Sequence, residues 1–425
     1  MNRQSWDIGV VGGGPAGIAA AMSAAENGAN VLLVDDNPAL GGQIWRGDEA
    51  NPSVRKARKW NERLKNSSVE ILRGFRIFDQ LRPGVLLAES ADGMREINYS
   101  RLILCTGARE RFLPFLGWTL PNVMGAGGLQ ALAKAGVPVR DKRIVIAGTG
   151  PLLLPVAVYL KRHGAKIELI AEQASRSSMV RFGSTLWRHS GKLAQALRMF
   201  GALAGIPFRF GCWPVEAKGD DHLCSVVLQQ GARRFEIECD YLACGFHLVP
   251  NLELASLLGC DVTDRTVEVN ELQQTSIASI YCAGEPTGIG GVDLAVVEGQ
   301  IAGFAAAGQP HKARRIFHAR ARHREFANAV DRAFALRPEL KKLARKDTLV
   351  CRCEDVPFDR LAECQSWREA KLYTRCGMGP CQGRICGAAT EFLFGWSVKS
   401  IRPPVFEARV ESLMTTEARA SGVRD

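Results

Sequence analysis

The opening of the chain restricts its fold more than any other stretch. Asp7-Ile8-Gly9-Val10-Val11 is a short run of strand formers. It leads into Gly12-Gly13-Gly14-Pro15-Ala16-Gly17, where Gly12, Gly14 and Gly17 have Gly-x-Gly-x-x-Gly spacing. An alanine-rich helical stretch follows, then Val31-Leu32-Leu33-Val34 and the acids Asp35 and Asp36. Strand, glycine turn, helix, strand and acid within about 30 residues is the signature of a dinucleotide-binding βαβ unit. Each position has a physical task. Gly12 makes the tight turn, Gly14 lets the backbone approach a pyrophosphate, and Gly17 lets helix pack on strand. The helix starting at Pro15 and Ala16 offers N–H groups and a positive dipole end to the phosphates. Asp35 accepts hydrogen bonds from the adenosine ribose.

A second βαβ pattern lies further on. Arg143-Ile144-Val145-Ile146-Ala147 leads into Gly148-Thr149-Gly150-Pro151-Leu152-Leu153, and Lys166-Ile167-Glu168-Leu169-Ile170 ends near Glu172. Gly148, Gly150 and Glu172 are the candidate binding positions. Leu153 replaces the third glycine, and no Arg pair for a 2′-phosphate is present. The fold is expected; NAD(P) binding is left open, the alternative being a retained fold with a vestigial or altered site.

The third feature is a cysteine cluster. Cys351 and Cys353 form a Cys-x-Cys pair; Cys376, Cys381 and Cys386 follow at five-residue intervals among glycines. Thiols at this density read as thiolate ligation, and glycine N–H groups suit bonds to cluster sulfides. A [2Fe–2S] cluster is expected, with structural zinc or no metal as alternatives. Cys351, Cys353, Cys376 and Cys381 are the first ligand set, with Cys386 a candidate in place of Cys376. A helix beginning at Cys381 would point Cys386 elsewhere. Cys364 is expected as a core thiol.

Composition narrows the class. The 425 residues suggest two to four domains and a large core without disulfides. No uncharged apolar run is long enough for a transmembrane helix. The early first strand leaves no room for a secretory signal, so a cytoplasmic protein is expected. The chain carries 55 Lys+Arg against 44 Asp+Glu, for a net charge of +11. Most of the excess lies in 311–346, where Phe326, Val330 and Phe334 recur at helical spacing. That reads as an amphipathic connector with a solvated basic face, or a docking surface for an acidic partner. No aromatics are interleaved as single-strand nucleic-acid binders require, so no nucleic-acid partner is expected.

Several motifs resemble flavoproteins of the disulfide reductase superfamily with two dinucleotide domains. Gly41-Gly42-Gln43 is similar to the glycine pair near their flavin. Arg101 to Ala108, containing Thr106-Gly107-Ala108, looks like their strand-ending Thr-Gly motif. Ile280 to Glu285, containing Gly284-Glu285, looks like their second flavin motif, with Glu285 where Asp is usual. By this resemblance Gly288 to Gly291, with Val292, and Ala295, Glu298 and Gly299 line the isoalloxazine side and open a helix whose N-terminus faces the flavin ring. Residues 41–58 lack the redox Cys pair of those reductases, so thiol–disulfide chemistry at that position is excluded.

The run from Cys351 to Cys386 resembles the bacterioferritin-associated-ferredoxin-like [2Fe–2S] domain. The whole chain is similar to the alpha subunits of heteromeric FAD-dependent amino- and imino-acid dehydrogenases. That family includes the A subunit of opine oxidase, D-hydroxyproline and proline dehydrogenase alpha subunits, the B subunit of hydrogen cyanide synthase and part of sarcosine oxidase alpha. The resemblance implies an α/β fold with two Rossmann-like dinucleotide-binding domains plus a small helical C-terminal [2Fe–2S] domain. The expected division is 1–114 with 241–308 for FAD, 115–240 for the second Rossmann-like domain, 309–346 for the connector, 347–405 for the cluster and 406–425 for a tail.

The implied function is electron transfer from a partner catalytic flavoprotein (beta) subunit, through FAD and [2Fe–2S], to an acceptor. The substrate would be an amino or imino acid of the opine, D-hydroxyproline or proline class, or glycine or sarcosine. The resemblance also admits an FMN at a subunit interface, a small ferredoxin-like subunit, and peripheral inner-membrane association through the complex. A stand-alone NAD(P)H-dependent reductase, and a non-catalytic role in which the groups only stabilise an assembly, are the alternatives. No catalytic acid or base is assigned; His247 is read as structural or interfacial.

Overall fold

The computed structural model describes residues 5–46, 52–263, 265–397 and 401–414. They form two compact units: the described residues within 1–109, 250–327 and 400–425, and those within 110–249 and 328–399.

In the first unit, strand Ser5–Val11 lies between parallel neighbours Val31–Asp35 and Gly93–Leu104. Glu70–Arg73 extends the sheet beyond Val31–Asp35, and Ile280–Cys282 pairs with Gly93–Leu104, both in parallel. The N-terminal half of Gly93–Leu104 instead pairs antiparallel with Val85–Ser90, which pairs with Arg76–Arg82. Every residue of Val31–Asp35 is buried, as expected for a parallel strand covered on both faces. Helices Pro15–Ala25 and Gly291–Ala306 pack against each other through small residues. A Cβ on Gly299 would stand 2.1 Å from the Ala16 carbonyl oxygen. Only glycine permits that approach, and it fixes where both helix N-termini lie.

The second unit has a five-stranded parallel sheet in the order Phe208–Phe210, Lys166–Glu172, Arg143–Thr149, Tyr241–Phe246, Val123–Gly125. The sequence places the return to the first unit at 241. In the structure it follows Val249, because Tyr241–Phe246 supplies a central strand here. An antiparallel sheet of Cys212–Lys218, Ser225–Gln230 and Arg233–Glu238 covers one face. The insertion Arg176–Leu186 and Ser190–Ala202 is helical, buries no residue of either helix, and leaves Trp187 83% exposed.

The cysteine-rich module belongs to this unit. It has a small hairpin, Leu349–Cys351 with Val356–Pro357, and helices Phe358–Ala362, Trp367–Thr374 and Cys386–Phe394. Trp118 Nε1 donates to the Leu349 carbonyl at 2.6 Å, tying the module to the Rossmann portion. The basic connector contains helix Phe317–Ala333. Phe334 lies just beyond it and is buried. Among the described residues no helix is long and apolar enough to cross a membrane.

Candidate functional site

The first nucleotide cradle forms where the central strands end. Gly12 has φ 105° and follows strand Ser5–Val11 directly. A Cβ on Gly17 would stand 1.8 Å from the Gly12 carbonyl oxygen, so helix and turn touch backbone to backbone. A Cβ on Gly14 would meet only the Gly42 Cα, at 4.0 Å. The two glycines have different tasks: Gly17 serves packing, and Gly14 keeps backbone accessible. The Asp35 carboxylate accepts from Gly13 N, and from Asn37 N at 2.7 Å and Asn37 Nδ2 at 3.0 Å. Asp36 beside it is exposed; partial desolvation of its carboxyl first, and the Asp35 charge second, raise its pKa.

Residues expected near a flavin gather around the same cradle. Gly41 N donates to the Gly13 carbonyl at 2.8 Å, setting Gly42 and Gln43 beside the glycine turn. Pro15 and Ala16 begin the helix, as the motif requires. Thr106 Oγ1 donates to the Asn251 carbonyl at 2.8 Å, and Asn251 N donates to the Gly107 carbonyl at 3.0 Å. Ala108 begins the next short strand. Gly284 precedes Glu285, whose carboxylate accepts from Gly290 N at 3.0 Å and Gly291 N at 3.1 Å. Glu285 therefore caps the helix that continues through Val292. An Asp is one methylene shorter, so Glu is the side chain that makes this reach here.

Burial pushes the Glu285 carboxyl up to about 7, against the two N–H donors. The unfolded group ionises near its ordinary 4.5. Folding therefore loses stability as pH rises from 4.5 to 7, and the loss persists above 7. At ~1.4 kcal/mol per unit the penalty is on the order of 3 kcal/mol. Glu285→Gln removes it while giving up one acceptor contact of about 1 kcal/mol. In nucleotide-free protein the variant is expected to be about 2 kcal/mol more stable at pH 8 and no more stable at pH 4. Urea unfolding at both pH values measures this; equal effects at both would contradict the account.

Glu298, which the resemblance sets on the flavin side, and Arg324, which carries no motif signal, complete this site. Glu298 is 1% exposed and accepts from Gly284 N at 3.1 Å and Thr287 Oγ1 at 2.9 Å. Arg324, from the basic connector helix, donates to it at 2.6 Å. Burial raises the Glu298 pKa and Arg324 opposes the shift. One connector cation thus has a buried counter-ion, which a charge count could not reveal.

In the second unit Gly148 and Gly150 follow strand Arg143–Thr149, and Glu172 ends strand Lys166–Glu172. Glu172 accepts from Thr149 Oγ1 at 2.6 Å, Ala174 N at 2.8 Å and Gly150 N at 2.9 Å. Burial lifts its carboxyl to about 7. Leu153 is 2% exposed and joins the core between helix and sheet, so the missing glycine is absorbed by packing. His247 has φ 70°, and burial lowers its pKa. Its Nε2 donates to the Phe334 carbonyl at 2.7 Å.

The cysteine centre brings together all five thiols. The sulfurs of Cys351, Cys376 and Cys386 lie within 4.8 Å of one another, and all three residues are buried. Cys381 makes sulfur contacts with Cys386 and Cys353. Cys353 is exposed and Cys381 half-buried. S–H donation from Cys376 and Cys386 pulls Cys351 down to about 2. The neighbouring Cys386 also lowers the Cys381 thiol, with burial opposing the shift. Backbone N–H groups of Gly377 and Glu354 point at Cys351, and those of Ile385 and Gly383 at Cys381. Such donors stabilise thiolates and bonds to metal-bound sulfur.

Cys386 corrects one expectation. Residues 381–385 are turns, and the helix begins at Cys386, not Cys381. Gln382 (φ 49°) and Gly383 (φ 78°) are left-handed, which no α-helix tolerates. Cys386 therefore faces inward with Cys351. A Cβ on Gly379 would stand 2.4 Å from the Cys353 Cβ, so the loop closes over Cys353 only because that residue is glycine. Cys364 is half-buried beyond the end of helix Phe358–Ala362 rather than within it.

Residues 6–302 match the pyridine nucleotide-disulphide oxidoreductase family. The HcnB subunit of hydrogen cyanide synthase from Pseudomonas aeruginosa is 33% identical, over 89% of this chain and 90% of that protein. The A subunit of opine oxidase from Rhizobium meliloti is 32% identical, over 90% of each. The crystal structure of L-proline dehydrogenase from P. horikoshii superposes with a TM-score of 0.71 at 19% identity, covering 96% of this chain and 79% of that one. T. acidophilum thioredoxin reductase superposes with a TM-score of 0.56 at 18% identity, over 72% of this chain and 99% of that one. The chain belongs to the pyridine nucleotide-disulphide oxidoreductase family and is a flavin-dependent oxidoreductase related to HcnB and to the A subunit of opine oxidase.

Proposed function

We propose that this chain is the electron-transfer subunit of a heteromeric flavin-dependent dehydrogenase that oxidises the C–N bond of an amino or imino acid. The carrying observation is that one chain combines a dinucleotide cradle with a centre of three clustered thiols, Cys351, Cys376 and Cys386, extended by Cys381 and Cys353. Gly12, Gly14, Gly17 and Asp35 would hold the ADP half of FAD. Thr106, Gly107, Glu285 and Gly291 would flank its flavin half. The open space over Gly14 and Gly291 and the N–H groups at the start of helix Gly291–Ala306 fit such a ligand. When bound, FAD supplies two-electron acceptance and one-electron release.

At the thiol centre, Cys351, Cys353, Cys381 and Cys386 would ligate a [2Fe–2S] cluster. Their sulfurs follow one another in a continuous path: Cys386 touches Cys351 and Cys381, and Cys381 touches Cys353. Cys376 touches Cys351 and Cys386 and remains as a fifth, buried thiol beside the ligands. Zinc fits the same donors but supplies no electron acceptance. The relatives are named as subunits, which supports a separate catalytic partner.

Oxidation of the substrate would occur on that partner. The purified chain alone is therefore expected to oxidise no opine, D-hydroxyproline, proline, glycine or sarcosine with an artificial dye, and to do so once the partner is added. Turnover by the isolated chain at the rate of the complex would refute this assignment.

A further inference from the structure

The two Rossmann portions diverge immediately after their acids. In the first, the residue after Asp35 is Asp36, which is exposed. In the second, the residue after Glu172 is Gln173, which is 0% exposed. Its cover is the chain's own segment 334–337. Two side-chain donors from strand ends converge on the Phe334 carbonyl oxygen, Gln173 Nε2 at 3.3 Å and His247 Nε2 at 2.7 Å, and Thr149 Oγ1, whose proton goes to Glu172, packs 3.3 Å from it. Gln173 Nε2 also reaches the Ala335 carbonyl at 3.2 Å, and Gln173 Oε1 accepts from Arg337 N at 3.2 Å. Phe334 is 6% exposed, and its ring meets Phe182 edge-on, with centroids 5.4 Å apart.

This is where a Rossmann fold receives adenosine: over the carboxyl ends of the strands, with the acid on the ribose. The acids themselves do not distinguish the two folds, since Asp35 is also buried with its oxygens bonded; the difference is the cover beyond Glu172. Glu172 is 2% exposed and its oxygens are taken by Thr149, Ala174 and Gly150. A ribose would have to displace Phe334 and leave a carbonyl and a glutamine amide buried without partners, which is unfavourable. We infer that segment 334–337 fills the adenosine place of the second fold and closes it to NADH and NADPH. Phe334 and Gln173 are then the residues that set donor specificity. The inference deepens the proposed function, since it leaves the partner's flavin as the electron source.

The test is calorimetric titration of the purified, cofactor-loaded chain with NADH and with NADPH. Alongside it, flavin absorbance is followed after anaerobic mixing with each nucleotide. Three proteins are compared: wild type, Leu153→Gly, and Phe334→Gly combined with Gln173→Ala. Wild type and Leu153→Gly are expected to show no saturable heat at millimolar nucleotide and no flavin bleaching over minutes. The double variant is expected to bind NADH at least tenfold more tightly than wild type.

Saturable binding to wild type, or a gain from Leu153→Gly alone, would overturn the inference. So would a double variant that keeps the wild-type circular dichroism and thiol-centre absorption yet gains nothing. A double variant that does not fold is replaced by Phe334→Ala, read the same way. The calorimetric result does not depend on flavin or iron. Failure of the electron-transfer reading would appear instead in cofactor content or in turnover by the isolated chain.

Discussion

Cys381→Ser is expected to strip the chain of its iron–sulfur absorption and of nearly all its iron. Cys381 joins the two halves of the thiol centre, touching Cys386 on one side and Cys353 on the other. Cys351→Ser should do the same, because its sulfur meets Cys376 and Cys386 and receives two backbone N–H groups. Cys376→Ser is the contrasting variant. Its sulfur touches Cys351 and Cys386, and the path through the other four stays intact without it. It should keep iron and sulfide at the wild-type level. Cluster binding is also folding energy for a small module. Residues 347–397 should therefore become protease-sensitive in Cys381→Ser and stay resistant in Cys376→Ser. Iron and sulfide assays on the purified variants decide the matter. Full iron in Cys381→Ser, or loss of iron in Cys376→Ser, would contradict the ligand assignment.

Gly14→Ala and Gly17→Ala are expected to separate binding from folding in the first cradle. At Gly17 the new methyl would stand 1.8 Å from the Gly12 carbonyl oxygen, so helix and turn must move apart. Overpacking of this kind costs roughly 3 kcal/mol or more where backbone has to shift. At Gly14, φ is −76° and the nearest atom to a Cβ is 4.0 Å away. Alanine there fits the fold but fills the space through which the backbone meets a pyrophosphate. Gly14→Ala should unfold in urea within about 0.5 kcal/mol of wild type, as a strain-free substitution does. Its bound flavin should fall at least tenfold. Gly17→Ala should lose both flavin and stability. Equal flavin content in Gly14→Ala and wild type would place the nucleotide elsewhere.

The legible parts of this protein are those where local geometry and chemistry coincide. Gly12, Gly14, Gly17 and Asp35 lie where strand–turn–helix–strand spacing puts them. The thiol centre was legible as a set because five cysteines fall among glycines that permit tight turns. Its internal arrangement was not. A helix from Cys381 is the natural continuation of the sequence, but left-handed Gln382 and Gly383 turn the chain and bring Cys386 inward. Long-range pairings left no trace either. Arg324 lies 26 residues from Glu298, and nothing in the basic run distinguishes it from its neighbours. Phe334 read as one more apolar position on an amphipathic helix. Its carbonyl, which no side-chain pattern reports, is what Gln173 and His247 hold.

The central claim is that one chain carries both a flavin nucleotide and an iron–sulfur cluster. An anaerobic absorption spectrum, with iron, sulfide and acid-released nucleotide assayed on the same purified sample, tests it most directly. The account predicts flavin bands over a broad thiolate-to-iron absorption, with iron and sulfide in equal amounts. Flavin without iron, or zinc in its place, would contradict it and leave the thiol centre without a part in electron transfer.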